Sequence, residues 1–327
     1  MKEIKVLSTK EINNGNVSDT TDILHHTGLV NSNLEISAAC YEKLGFSLTP
    51  LSMPRIVLEP GGVPETIGAG NQHAIFAGNY LELLGIIDPE RWTSISKEQL
   101  GPYDLDIPLA RYEGLHVMHF GTSHIEKVKE RLDNKGAICS PIKQFQRNVQ
   151  TETGERMMKA RTISFPAEHN PEGLLQVAQH DTPELVFQER YMHHRNSAIA
   201  FTEILIVTET PAIYAAKYEL YTGHQARETA NSHWVVDLGF SSITIVDPER
   251  LDNIIPRYKI PALPFMAAFT VTVASLQLVC DVLTESKVPF TKMAGTVIVY
   301  PEDAGGCAVV FEEQESAVQL NKFCINK

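Results

Sequence analysis

The 327-residue chain contains no Cys-x-x-Cys pair, and its five cysteines (Cys40, Cys139, Cys280, Cys307, Cys324) are odd in number and widely scattered. Neither a disulfide framework nor a zinc knuckle is indicated, and a reducing cytoplasm is the simplest expected home. Basic residues are in deficit. Against 40 Asp and Glu stand 28 Lys and Arg, a formal net charge of −12. That balance argues against a nucleic-acid backbone or an anionic membrane surface as partner. No clean apolar run is long enough for a bilayer. The best candidate, PALPFMAAFTVTVASLQLVCDVL, is opened by prolines and interrupted by Thr270, Thr272, Ser275, Gln277 and Asp281. It reads as a strand running into a buried helix. The opening MKEIKVLSTKEINNGNVSDTTD has no apolar h-region, so no signal peptide is expected. GxSxG, GxxxxGK[ST], HExxH and GxGxxG are all missing, which removes the commonest hydrolase, nucleotide and zincin signatures.

What is present is a repeat. The stretch ILHHTGLVNSNLEISAACYEKLGF reads as an apolar strand followed by a helix that ends at Gly45, a residue suited to the left-handed cap. GLHVMHFGTSHIEKVKERLDNKGA repeats the pattern, with Ile125, Val128 and Leu132 on one helical face and Gly136 closing it. A third copy, AFTEILIVTETPAIYAAKYELYTG, starts its helix near Pro211, offers Ile213, Ala216 and Leu220 as the apolar face, and ends at Gly223. The fourth, AAFTVTVASLQLVCDVLTESKVPF, places Leu276, Val279 and Leu283 likewise. Short β-rich segments follow each helix. The unit is therefore strand, helix, several strands, used four times, and units must pair to cover their sheets. The expected organisation is an N-terminal tail over 1–21 and a first domain over 22–190, with modules 22–90 and 112–182. A second, degenerate domain follows over 198–327. The polar stretch HDTPELVFQERYMHHRNSA is the expected join, with His193 and His194 in solvent.

Neighbouring side chains on a strand point to opposite faces, so at most one of His25 and His26 is expected in any pocket. The same argument separates His116 from His119, three residues on. Glu82 sits among apolar residues in NYLELLGII, where a carboxylate is costly unless paired or metal-bound.

These features resemble the vicinal oxygen chelate superfamily, and within it multi-module glyoxalase-like proteins. The match rests on HTGLV from His26, which fits a His-x-Gly-aliphatic opening strand, on YEKLGF, on GNYLELLGI with its central Glu, and on QHDTPELVF. The resemblance implies an α+β fold of four βαβββ modules paired into two open, barrel-like mixed sheets. It also implies a divalent metal ion (zinc, nickel, cobalt, manganese or ferrous iron) held by first and last strands of the modules. Carried over position by position, the ligands are His26, Glu82, His116 and Gln179, with Gln176 and His180 as alternatives for the fourth. The spacing to Gly28 selects His26, leaving His25 to the other face. His73 in GNQHAIF is a candidate substrate contact or general base, or plain surface. Arg147, Arg156 and Arg161 flank module two, as an anion clamp or a solvated basic face. The second domain supplies Glu203, Glu312 and Glu313 but no histidine at the matching positions, so no tight transition-metal site is expected there.

Imidazoles with one carboxylate suit Lewis-acid chemistry on a small substrate chelated through adjacent oxygens, as in lyases and isomerases, and equally suit non-haem iron oxygenation. A non-catalytic small-molecule binder is the alternative of another class. The expected partners are a small-molecule substrate and, at most, a second copy in a homodimer.

Overall fold

The computed structural model describes residues 18–293 and 295–313. Most of the expected tail, Cys324 and the end of the second domain lie outside these residues. Module one runs β1 (Ile23–Asn31), α1 (Leu34–Lys43), β2 (Arg55–Ile56), β3 (Glu65–Thr66), β4 (Ala69–Ile75) and β5 (Tyr80–Ile86). Three short helices, α2 (Pro89–Thr93), α3 (Lys97–Leu100) and α4 (Asp106–Leu109), lead to module two. That module comprises β6 (Gly114–Gly121), α5 (Ile125–Asn134), β7 (Lys143–Thr151), β8 (Gly154–Ser164) and β9 (Leu174–His180). Module three has β10 (Ala198–Val207), α6 (Pro211–Thr222), β11 (Ala226–Glu228), β12 (Trp234–Asp237) and β13 (Ser242–Val246), followed by α7 (Pro248–Ile254). Module four has β14 (Phe265–Val273), α8 (Leu276–Glu285), β15 (Thr291–Met293), β16 (Thr296–Val299) and β17 (Ala308–Glu313).

In each pair of modules the opening strands lie antiparallel at the centre, β1 on β6 and β10 on β14, and each is flanked by the parallel last strand of its own module. The first pair thus forms a seven-strand sheet in the order β7-β8-β9-β6-β1-β5-β4. Ladder pairing of Met266 with Leu115 joins it to the second pair, and Ala77 N donates to Ile199 O at 3.5 Å as well.

The four long helices share one apolar core. Ile125, Val128 and Leu132 are fully buried, as the spacing requires, and so are Val279 and Leu283. On α6 the expected face is wrong. Ile213 is 66% exposed, and Tyr214, Ala215, Tyr218 and Tyr221 are buried instead. Aromatic volume wins over aliphatic spacing here, since each buried ring removes more apolar surface from water than an Ile. Tyr218 meets Phe120 and Tyr221 stacks on Phe165 at 3.7 Å, so module three packs on module two. Tyr41 on α1 stacks on Phe269 and donates its hydroxyl to Ala304 O, so module one packs on module four. Gly45, Gly136 and Gly223 each follow their helix with positive φ, confirming them as left-handed caps.

Candidate functional site: a histidine cluster at a bulged strand pair

The β1–β6 ladder is interrupted twice. Leu24 faces Phe120 and His26 faces His119, so His25 is an extra residue on β1. Further along, Gly28 faces Val117 and Leu29 faces Leu115, so His116 is an extra residue on β6. A bulge breaks the two-residue alternation of a strand and re-aims the side chain it releases.

The first bulge overturns the expectation that His25 points away from His26. Both rings enter one cluster. Their Nδ1 atoms are 2.8 Å apart in a hydrogen bond. His26 also stacks flat on Tyr80 at 4.4 Å and meets His119 edge-on at 4.0 Å, while His25 meets His180 at 4.6 Å.

His119, set aside in the sequence as facing away from His116, is the module-two residue in the cluster. His116 is not. Its Nε2–H donates to Tyr112 O at 2.8 Å and its ring stacks on Tyr112, outside the cluster. The two histidines do not share one site, as expected, but His119 and not His116 is the one in the cluster, and a bulge at His116 stands where strict alternation is expected. A signal was present, because His119-Phe120-Gly121 repeats the His-x-Gly spacing of His26-Thr27-Gly28.

Glu82 and His73 are brought together on paired positions of β5 and β4. Glu82 Oε1 accepts from Asn71 Nδ2 at 2.9 Å and lies 3.5 Å from His73 Nε2. It has no arginine ion-pair partner among the described residues. His73 Nδ1 is 3.4 Å from Thr49 Oγ1.

Gln179 does not reach the cluster. Its Oε1 accepts from Ile125 N at 2.9 Å and so caps α5, whose own N-cap residue His124 makes no side-chain cap bond. Alternation along β9 then sends its neighbour His180 to the cleft face. Gln176 is the register partner of His119, and the position two residues on, matching Glu82 in module one, is Ala178.

The three arginines separate. Arg161 is bound by Asp181 at 2.8 Å and by Glu126. Arg156 is exposed. Arg147 pairs with Met158 in the β7–β8 ladder and donates from Nη1 to Ser52 Oγ at 3.3 Å. Ser52 is itself bridged to Asn71, beside β4. The two edges of the seven-strand sheet therefore meet, which is how an open sheet curls round a cleft.

The join after β9 also departs from the expectation of a solvated linker. Phe187 and Met192 pack on Ile75 and Tyr80 and cover the cluster from one end. His194 is mostly enclosed. It accepts from Ser47 N, donates to Ile75 O, and lies against Phe46 and Phe76. His193 is exposed as expected.

Burial sets the protonation of the cluster. It holds His25 and His26 well below the ordinary histidine value, with neighbouring imidazoles adding to the effect. Burial lowers His119 to about 4, although the Glu82 charge opposes it, and lowers His180 to about 4. Burial pushes Glu82 up, but the hydrogen bond and charge of His73, with His119 and Arg147, more than offset this and hold it below the usual carboxylate value. The set is neutral imidazole plus anionic carboxylate, the protonation in which these groups donate to a metal. Three buried polar atoms on this face have no hydrogen-bond partner: His119 Nε2, His180 Nδ1 and Asn71 Oδ1. Buried atoms left so are rare and call for a ligand, ion or water. Among the described residues no three His, Cys, Asp or Glu side chains are gathered closely enough to define a metal centre by themselves. Also among them, no helix is long and apolar enough to cross a membrane.

A sheet of paired βαβββ modules around a cleft defines the vicinal oxygen chelate fold. The profile of the glyoxalase-like domain family matches residues 24–222, more than half of the chain, and the chain belongs to that family. No curated protein sequence matches it. Among solved structures, a hypothetical protein from Staphylococcus aureus aligns at TM-score 0.58 and 12% identity, over 89% of this chain and 99% of the other. A variant of 4-hydroxymandelate synthase from Streptomyces coelicolor aligns at 0.54 and 9%, over 91% and 94%. A Mn(II)-bound glyoxalase from Novosphingobium aromaticivorans aligns at 0.50 and 9%, over 90% and 82%. At these identities the likeness is one of fold.

Proposed function

We propose that the chain is a metal-dependent enzyme of the glyoxalase-like kind, acting on a small substrate that presents adjacent oxygens. The observation that carries this reading is the placing of His26, His119 and Glu82 on one face of the β5-β1-β6 strands, with His119 Nε2 buried and without a hydrogen-bond partner. Two imidazoles and one carboxylate fit a first-row divalent ion in kind. The protonation set by burial fits as well, because no proton need leave before a metal is bound. His26, His119 and Glu82 would hold the ion, with His180 the nearest candidate for a fourth position. When bound, such an ion supplies a Lewis acid that polarises a carbonyl or stabilises an enediolate. The Mn(II) of the Novosphingobium glyoxalase supports a divalent ion in this fold.

The chain's own groups supply the rest. His25 hydrogen-bonds His26 through Nδ1 and fixes its ring, as a partner to a ligand histidine does. His73, in the tautomer with its proton on Nδ1 towards Thr49 Oγ1, would take a proton from a substrate carbon at Nε2 and return it, the imidazolium so formed facing Glu82 Oε1. Phe187 and Met192 keep water from that end of the cleft.

Metal analysis of the purified protein, coupled to oxygen uptake with catechols and to proton exchange of α-hydroxyketones, tests the reading. About one divalent ion per chain with exchange and no oxygen uptake is the expected result. Oxygen uptake with iron would replace it with the dioxygenase reading. A chain that binds small molecules without metal or turnover would make it a binding protein.

A further inference from the structure

The sequence left the module-two arginines as clamp or solvated face, and only one of them is positioned to meet a ligand. Arg147 lies on the cleft face of β7, in register with Met158, which is buried. Its only side-chain hydrogen bond among the described residues is a long one to a neutral hydroxyl, Ser52 Oγ at 3.3 Å, and it has no ion-pair partner there. Its charge is nonetheless felt by Tyr80, Glu82 and His180 inside the cleft. Phe145, two residues before it on the same face, is 46% exposed. A guanidinium therefore lies on the same face of β7 as an exposed aromatic ring, within reach of the charges of the cluster.

We propose that Arg147 determines specificity by binding a carboxylate of the substrate, while the substrate's adjacent oxygens reach the histidine cluster and its apolar body lies on Phe145. A guanidinium offers two parallel N–H donors that match a carboxylate. One unpaired cation suits one negative charge. The weak bond to Ser52 is readily exchanged for it. The substrate class is then an organic monocarboxylic acid with an apolar body and vicinal oxygens. This deepens the proposed function and rests on the cleft being its substrate site, though not on a metal being bound.

The test uses two probes, 3-(3,4-dihydroxyphenyl)propanoate and its primary amide, titrated calorimetrically into wild type, R147Q, R147K and R156Q. Wild type is expected to bind the acid roughly ten-fold or more tighter than the amide, the size of a charge-assisted hydrogen bond. In R147Q the ratio should fall to about one with amide affinity unchanged, and R147K should keep part of it. R156Q, altered at an exposed arginine of the same hairpin, should match wild type. Thermal melting confirms that the variants fold, as expected for a side chain with one long hydrogen bond. Three outcomes overturn the proposal: equal binding of acid and amide by wild type, a preference that survives R147Q, or no binding of either at millimolar concentration. Repeating the titration after chelation separates the two claims. Loss of all metal dependence defeats the metal reading and leaves the acid-to-amide ratio as the measure of Arg147.

Discussion

In the first half of the chain the β1–β6 pair puts His25 out of register between Leu24 and His26. In the second half the β10–β14 pair puts Thr202 out of register between Phe201 and Glu203. The correspondence continues outward. His26 faces His119 and is flanked by Tyr80, while Glu203 faces Thr270 and is flanked by Ser242. Thr244 holds the place of Glu82, two residues beyond the flanking position. The same bulged backbone thus presents imidazoles and a carboxylate in one half, and a carboxylate and hydroxyls in the other. In the second half the polar groups satisfy one another, since Glu203 accepts from Thr244 Oγ1 and from Thr270 Oγ1 at 3.0 Å. In the first half His119 Nε2 and His180 Nδ1 have no partner. The fold supplies the geometry twice, and side-chain chemistry decides which copy is left open to a ligand.

The sharpest break of this comparison is at the facing pair. His119→Ala should abolish divalent-metal binding, beyond the roughly 10–100-fold that loss of a supporting partner costs, whereas Thr270→Ala should leave metal affinity unchanged. Isothermal titration with Mn(II) on both variants reads the difference. The next largest effect concerns the joint between the halves. Gly306 has φ +94°, and a Cβ there would collide with the Glu113 carbonyl. Gly306→Ala should cost at least about 2 kcal/mol of stability in urea denaturation, while Gly239→Ala, at φ +91° with open space around it, should cost about half that or less.

A third expectation follows from the unequal placing of histidines. Burial lowers His116, His119, His180 and His194 to about 4, and His25 and His26 well below the ordinary value. As pH falls through about 6.5 the unfolded chain takes up protons that the folded chain refuses. Stability of the metal-free protein should therefore be full above about pH 6.5 and decline steadily towards pH 4. Urea midpoints across that window check it, and a flat profile would show that the cluster is not buried in solution. The smallest effect distinguishes Gln179 from its neighbour. Gln179→Ala removes the cap on α5 and should cost about 1 kcal/mol without touching metal affinity. His180→Ala should do the reverse, weakening the metal with little change in stability.

Much of this was readable from residues alone. The four strand–helix units and the glycine caps follow from periodicity and spacing, which survive folding because each is set within one element. His26 and Glu82, by contrast, enter as candidates through the family resemblance, and the meeting of Glu82 with His73 depends on the pairing of β4 with β5. The failures have several causes. Both bulges are relations between two strands, and no single-strand alternation rule registers them, so alternation sends His25 out of the cluster. The His-x-Gly spacing at His119 is the sequence signal that favours it over His116. Gln179 and His180 are adjacent, and which one faces the cleft depends on the register of β9 against β6. The α6 face failed because spacing counted Ile213 and Leu220 while packing selected Tyr214, Tyr218 and Tyr221.

The most direct measurement is metal content of purified wild type, His119→Ala and His116→Ala protein by inductively coupled plasma mass spectrometry. The account predicts about one divalent ion per chain in wild type and His116→Ala, and none in His119→Ala. Metal lost from His116→Ala and kept in His119→Ala, or missing from wild type after reconstitution, would contradict it.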